Sequence, residues 1–171
     1  MNYRFFRFFP VLLMTFILFS CSREEPTLVS STPPPEPTII KMNEIYSRGV
    51  VTDPDWIEIY NESSVAVNIG GYKIYDIGGQ AGTKPKMVIP AGMVVPAKGF
   101  FVVVTDIPTT TDPSGFGLSS AGEEVWLEDA TGKLIDNVVF PAMETTQTYA
   151  RVPDGGAWKL TNTITRGTSN R

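Results

Sequence analysis

The chain has 171 residues, of which 14 are basic and 18 acidic, with no histidine and one cysteine. The missing histidine excludes Ser-His-Asp and Cys-His catalysis, and with a single cysteine there is no set of Cys or His ligands for zinc. The acidic balance disfavours nucleic acid as a partner, because affinity for phosphate backbones comes largely from Lys and Arg.

In chain order, residues 1–20 read as a lipoprotein signal peptide. Arg4 and Arg7 form a basic n-region, and Phe8 to Phe19 is apolar apart from Pro10 and Thr15. That run is shorter than the ~20 apolar residues a bilayer span needs and suits a signal-peptide core. It ends in Leu18-Phe19-Ser20-Cys21, which resembles the lipobox of bacterial lipoproteins, with Phe19 where that group usually carries a smaller residue. The resemblance implies that the Cys21 sulfur takes a diacylglyceryl group and that cleavage frees an amine for further acylation. A free or buried thiol is the other reading of a lone cysteine, and the place of Cys21 directly behind an apolar run argues against it. Each buried methylene contributes about 0.8 kcal/mol, so two or three acyl chains would hold the protein at a membrane. Loss of Arg4 and Arg7 on cleavage leaves 12 basic residues against 18 acidic, a net charge of −6.

Residues 21–37 follow as the lipidated Cys and a tether. Pro26, Pro33, Pro34, Pro35 and Pro37 deny this stretch a helix or a sheet interior. It reads as a disordered polyproline-type linker, reaching roughly 50 Å if fully extended. Glu24-Glu25 resembles the acidic surface-export signals of some Gram-negative lipoproteins, and reads equally well as solvated linker.

Residues 38–171 suit one domain of ordinary size. Short β-rich runs alternate with turn residues, and no long amphipathic helix is visible. The runs are Ile39 to Tyr46, Asp55 to Asn61, Gly71 to Ile77, Lys86 to Pro90, Met93 to Val95, Phe100 to Thr105, Glu124 to Asp129, Lys133 to Phe140, Thr146 to Val152 and Ala157 to Leu160. In the second, Ile57 and Ile59 face one way and Trp56, Glu58 and Tyr60 the other; in the seventh, Val125 and Leu127 point inward. Connections are too short for crossover helices, so the strands are mostly antiparallel. The expected fold is all-β, an immunoglobulin-like sandwich of about nine strands, with a closed barrel as the alternative.

Four blocks, in order, carry a family resemblance. Met42-Asn43-Glu44-Ile45, Asp55 to Asn61 (DWIEIYN) and Ile69-Gly70-Gly71-Tyr72 resemble the opening of the lamin tail domain. Ile89-Pro90-Ala91-Gly92 and Lys98-Gly99-Phe100 are similar to its central strands, and Phe116 to Ser119, Gly122-Glu123 and Val125-Trp126-Leu127 to its next block. Tyr149 to Gly155 with Trp158 resembles its end, while Thr165 to Asn170 replaces a more usual Thr-Pro-Gly. The likeness runs from about Ile39 to Asn170. It implies an immunoglobulin-like fold and a binding or structural unit of an exported or surface protein. It implies little about activity, because one fold hosts many functions.

Local chemistry adds weaker candidates. Gly78 to Lys84 is glycine-rich but lacks the Gly-Lys-Ser/Thr order of a phosphate loop and reads as a mobile loop. Asp53, Asp55 and Glu58 lie close in sequence; turn capping and a solvated strand face are the plain reading, with a carboxylate pair or a share in a calcium site as the functional ones. Trp56, Tyr60 and Trp126 fall opposite the core positions, where they either contact a sugar or protein ligand or pack beneath a loop or neighbouring strand. Asn61 is expected to form an Asx turn, and Arg151 to pair with a strand carboxylate.

The expectation is therefore a non-catalytic cell-envelope protein, anchored by lipid at Cys21 at the outer membrane. Its domain would bind a protein or a glycan, with no cofactor and no nucleic acid. The alternatives are a carboxylate-dependent glycan hydrolase, which needs two carboxylates about 5–10 Å apart in a cleft, and an accessory subunit of an envelope enzyme.

Overall fold

The computed structural model describes residues 39–50, 52–106 and 115–171. The signal peptide, Cys21 and the tether through Pro37, read from the sequence, lie outside the described residues.

Eleven strands and one helical turn make up the described domain. The first sheet is built from β1 (Ile40–Tyr46), β2 (Trp56–Asn61), β7 (Phe100–Val104), β10 (Thr148–Arg151) and β11 (Trp158–Thr161), in the order β11-β10-β1-β2-β7. The second contains β4 (Lys73–Tyr75), β5 (Met87–Val88), β8 (Gly122–Glu128) and β9 (Leu134–Pro141), in the order β5-β4-β8-β9. A two-stranded ribbon joins β3 (Val67–Asn68) to β6 (Val94–Val95). Every strand pair is antiparallel. The immunoglobulin-like sandwich expected from the strand spacing is what forms.

Alternation fixes which side chains meet between the sheets. Met42, Ile45, Ile57, Ile59 and Val103 from the first pack against Ile74, Val125, Leu127, Val138 and Phe140 from the second, all buried. Full burial of each such side chain contributes roughly 1.5–3 kcal/mol. Polar ties also cross the layers. The Met42 amide donates to Asp136 Oδ2 at 3.0 Å, and the Arg151 guanidinium pairs with the same carboxylate at 3.2 Å.

Turn chemistry follows the residues. Asn61 Oδ1 accepts from the Ser63 amide at 2.9 Å while its amide group donates to the carbonyls of Val65, Val95 and Pro96, so the Asx turn also pins β6. Between β8 and β9, Asp129 Oδ1 accepts from the Thr131 and Lys133 amides, and Gly132 takes φ 89°, a left-handed value that costs glycine little. The stretch read as a mobile glycine loop instead opens with a helical turn, Ile77–Gln80, capped by Asp76, which accepts from the Gly79 amide. Lys84 pairs with that same Asp76 at 3.3 Å. The ribbon strand β3 escaped sequence reading because two residues carry no period.

Strand β2 departs from the half-buried pattern its alternation predicts. All six of its residues are buried. The face opposite the core is covered by the 153–156 turn and by residues 165–170, through contacts described next.

Candidate functional site

The covered face of β2 gathers the most unusual chemistry among the described residues. The β1–β2 register shifts between Met42 and Glu44, so Asn43 is an extra residue in a β-bulge. A bulge re-aims the side chains beside it. Here it lets Asn43 Nδ2 donate both to Glu58 Oε1 at 2.9 Å and to Asp154 Oδ1 at 3.0 Å, while Asn43 Oδ1 accepts from the Gly155 amide at 3.0 Å. Glu44 lies directly opposite Glu58 across the ladder. Asn43, Glu44 and Glu58 are all fully buried.

Residues 165–170 close over these groups. The Thr165 amide and hydroxyl donate to the two oxygens of Glu44, at 3.0 and 2.7 Å. The Gly167 amide donates to Glu58 Oε2 at 2.7 Å. Asp154 accepts from the Asn170 amide at 2.9 Å and from the Ser169 hydroxyl at 2.6 Å. Asn170 then donates its side-chain amide to the carbonyls of Asn43 and Arg151, and its Oδ1 accepts from the Thr165 hydroxyl. Arg151 lies over the Trp158 ring at 4.7 Å and donates to the carbonyls of Met42 and Gly156.

No Lys or Arg side chain bonds Glu44, Glu58 or Asp154 among the described residues. Neutral donors alone satisfy a carboxylate less well than a cation does when water is excluded. Burial consequently pushes the Glu58 carboxyl up to about 7, against the hydrogen bonds from Asn43 and Gly167, with the charges of Glu44 and Asp154 adding. Burial also raises Glu44, opposed by its bonds to Thr165. The arrangement is a buried carboxylate latch with its hydrogen-bonding capacity turned inward. Glu44 and Glu58 stand side by side, yet neither is open to solvent.

The three carboxylates singled out near residue 55 do not converge. Asp53 is exposed and pairs with Arg166 at 2.7 Å. Asp55 is buried and accepts from the Gly49 and Leu118 amides at 2.7 and 2.8 Å, so capping is its role; burial raises its carboxyl, and the Asp106 charge adds. Glu58, expected on a solvated face, belongs to the latch. Among the described residues no group of three acidic side chains is placed to hold a metal ion.

Of the two readings open for the aromatic residues opposite the core, the structure supports packing. Trp56, Tyr60 and Trp126 are 1%, 8% and 7% exposed. Trp56 stacks on Tyr46 at 5.8 Å with the Arg166 guanidinium above it. Tyr60 stacks on Phe100 at 5.2 Å, and Trp126 on Tyr75 at 5.8 Å. They do lie opposite the core, but side chains of neighbouring strands cover all three, and Arg166 adds to the cover of Trp56. Each behaves as packing.

Two surface depressions among the described residues are large enough to hold a small ligand. A polar one of about 350 Å³ is lined by Ser47, Arg48, Asp55 and Thr145 among others, and an apolar groove of about 230 Å³ separates β5 from β7. Neither is lined by two carboxylates.

With that geometry in place, comparison with protein families is decisive. The model of the family described as Lamin Tail Domain matches residues 33–142, more than half of the chain. The chain belongs to the lamin tail domain family. No curated protein matches it. The matched span stops before β10 and β11, so the likeness at Tyr149 to Gly155 and Trp158 lies beyond it. The structure nevertheless pairs β10 on β1 and β11 on β10, which continues the first sheet beyond the matched span. Asn43, Glu44, Asp154 and residues 165–170 were not found as a unit from sequence. The one available signal was an Asn-Glu pair in a strand otherwise bound for the core.

Proposed function

We propose that this lamin tail protein is a non-catalytic module of the cell envelope, carried on lipid at Cys21 and presenting its domain to a protein or a glycan. The observation that carries the non-catalytic part is the latch: Glu44 and Glu58, the one carboxylate pair facing each other across a ladder among the described residues, are sealed by Thr165 and Gly167 rather than open to a substrate. The family supports a module of immunoglobulin-like fold. For the anchor, support comes from the apolar run ending at Ser20-Cys21 and from the proline-rich stretch behind it. The outer membrane is the proposed location.

Metabolic labelling with a radioactive fatty acid tests the anchor. The chain is expected to take up label, and Cys21→Ala to lose it and to leave the membrane fraction. An unlabelled parent whose Cys21→Ala form fractionates identically refutes the anchor. Glycan-array binding by the full chain tests hydrolysis against recognition: cleavage of a bound glycan that Glu58→Gln abolishes would replace the module reading with an enzymatic one.

A further inference from the structure

Strand β7 is an outermost strand of the first sheet, and among the described residues nothing pairs with its outer edge. Hydrogen bonds at both ends show which residues face outward. The Asn61 amide donates to the Gly99 carbonyl and the Thr105 amide to the Asp55 carbonyl, and the register between them is unbroken. In an antiparallel ladder bonded residues alternate. Gly99, Phe101, Val103 and Thr105 therefore bond β2, while Phe100, Val102 and Val104 turn their N–H and C=O groups away from it.

Such an edge is a template for another strand, and natural proteins usually blunt it with a charge, a proline or a bulge. The outer strands β11, β9 and β5 of the two larger sheets do so. β11 carries Lys159, β9 carries Asp136 and Pro141, and two-residue β5 follows Lys86. β7 reads Phe-Phe-Val-Val-Val, with none of these. Beside it runs the apolar groove, whose far bank holds Val88, 52% exposed.

We infer that β7 pairs with β7 of a second copy, antiparallel about a two-fold axis through Val102, joining two five-stranded sheets into one. The charges flanking the strand favour this occupant over a foreign peptide. Centring on Val102 aligns Phe100 with Val104 of the second copy and Lys98 with its Asp106, twice by symmetry. Lys98 and Asp106 are both exposed. The symmetry is satisfied in hydrogen bonding as well, because Val102 is an outward residue and meets its own copy as a bonded pair. Elsewhere, two copies of a chain that is net acidic, −4 in full and −6 without residues 1–20, repel. The uncharged edge with opposite charges at its two ends is where they can meet.

Bonded antiparallel pairs hold Cα atoms about 5.5 Å apart, within the disulfide range. The test is oxidative cross-linking of the full chain in detergent-solubilised membranes, with the parent carrying Cys21 alone as background. Val102→Cys is expected to give a disulfide dimer of twice the chain mass, and Leu160→Cys, on the exposed outer strand β11, none above background. In the Val102→Cys chain, Lys98→Asp should cut the yield several-fold, and adding Asp106→Lys should restore it. That rescue separates pairing from the loss of the Lys98 contact to the Glu62 carbonyl. The inference is overturned if Val102→Cys stays monomeric, if it links to a protein of another mass, if Leu160→Cys links equally well, or if the double exchange fails to rescue.

Discussion

Replacing Glu58 by Gln gives the sharpest check on the latch. The folded protein holds the Glu58 proton up to about pH 7, against an ordinary value of 4.5. A carboxyl raised on folding means that the native state binds more protons than the unfolded state between those two values. Stability then falls as pH rises through that window and levels off above it. The shift corresponds to about 3 kcal/mol in full, and about 2–3 kcal/mol of it falls between pH 5 and pH 8. Gln keeps the shape and an acceptor for the Gly167 amide but does not titrate. Urea unfolding of the parent and Glu58→Gln at pH 5 and pH 8 reads the difference, and any common slope from Glu44 largely cancels. The gap between the two proteins should move by about 2–3 kcal/mol in favour of the variant on going to pH 8. Parallel pH profiles would show that Glu58 titrates as it does in the unfolded chain, and the latch would have no electrostatic cost.

Other expectations follow from the same contacts. Ile57→Ala, at the centre of the buried face, should lower unfolding free energy by about 2–5 kcal/mol in the same urea assay; a loss below 1 kcal/mol would contradict its packing. Trp126→Ala should cost about 3–5 kcal/mol and leave ligand binding by the surviving folded fraction unchanged; lost binding at unchanged stability would return Trp126 to the surface. Removal of residues 165–171 strips the donors from Glu44 and Glu58, so amide exchange in β1 and β2 should accelerate by more than tenfold, whereas an unchanged exchange pattern would make the segment a passive cover.

Much of the fold was legible because its strands are long enough to show a period. Ile57 with Ile59 and Val125 with Leu127 alternate cleanly, and all four are core residues. Turn positions such as Asn61 and Gly132 were legible from their own side chains, or lack of one. Exposure was not. Alternation says that Trp56, Glu58 and Tyr60 share the face opposite the core, but not whether water or protein lies there. What covers that face comes from residues 109 positions further on, as with Gly167 and Glu58. The Asn43 bulge was hidden for a related reason: an extra residue changes which side chains share a face without changing composition. The outer edge of β7 was invisible too, since strand order belongs to topology rather than to any local run.

The reach of the latch along the chain bears on biosynthesis. Glu44 and Glu58 are made early and acquire their later donors only when Thr165 and Gly167 have been made. Until then Glu44 lacks its Thr165 donors and Glu58 has only Asn43, on the hairpin that founds the first sheet, and long-range closure of this kind is slow. A nascent chain therefore cannot complete the latch before residues 165–167 are made. A product cut short by a few residues would betray itself to proteases, through a sheet that never fully seals.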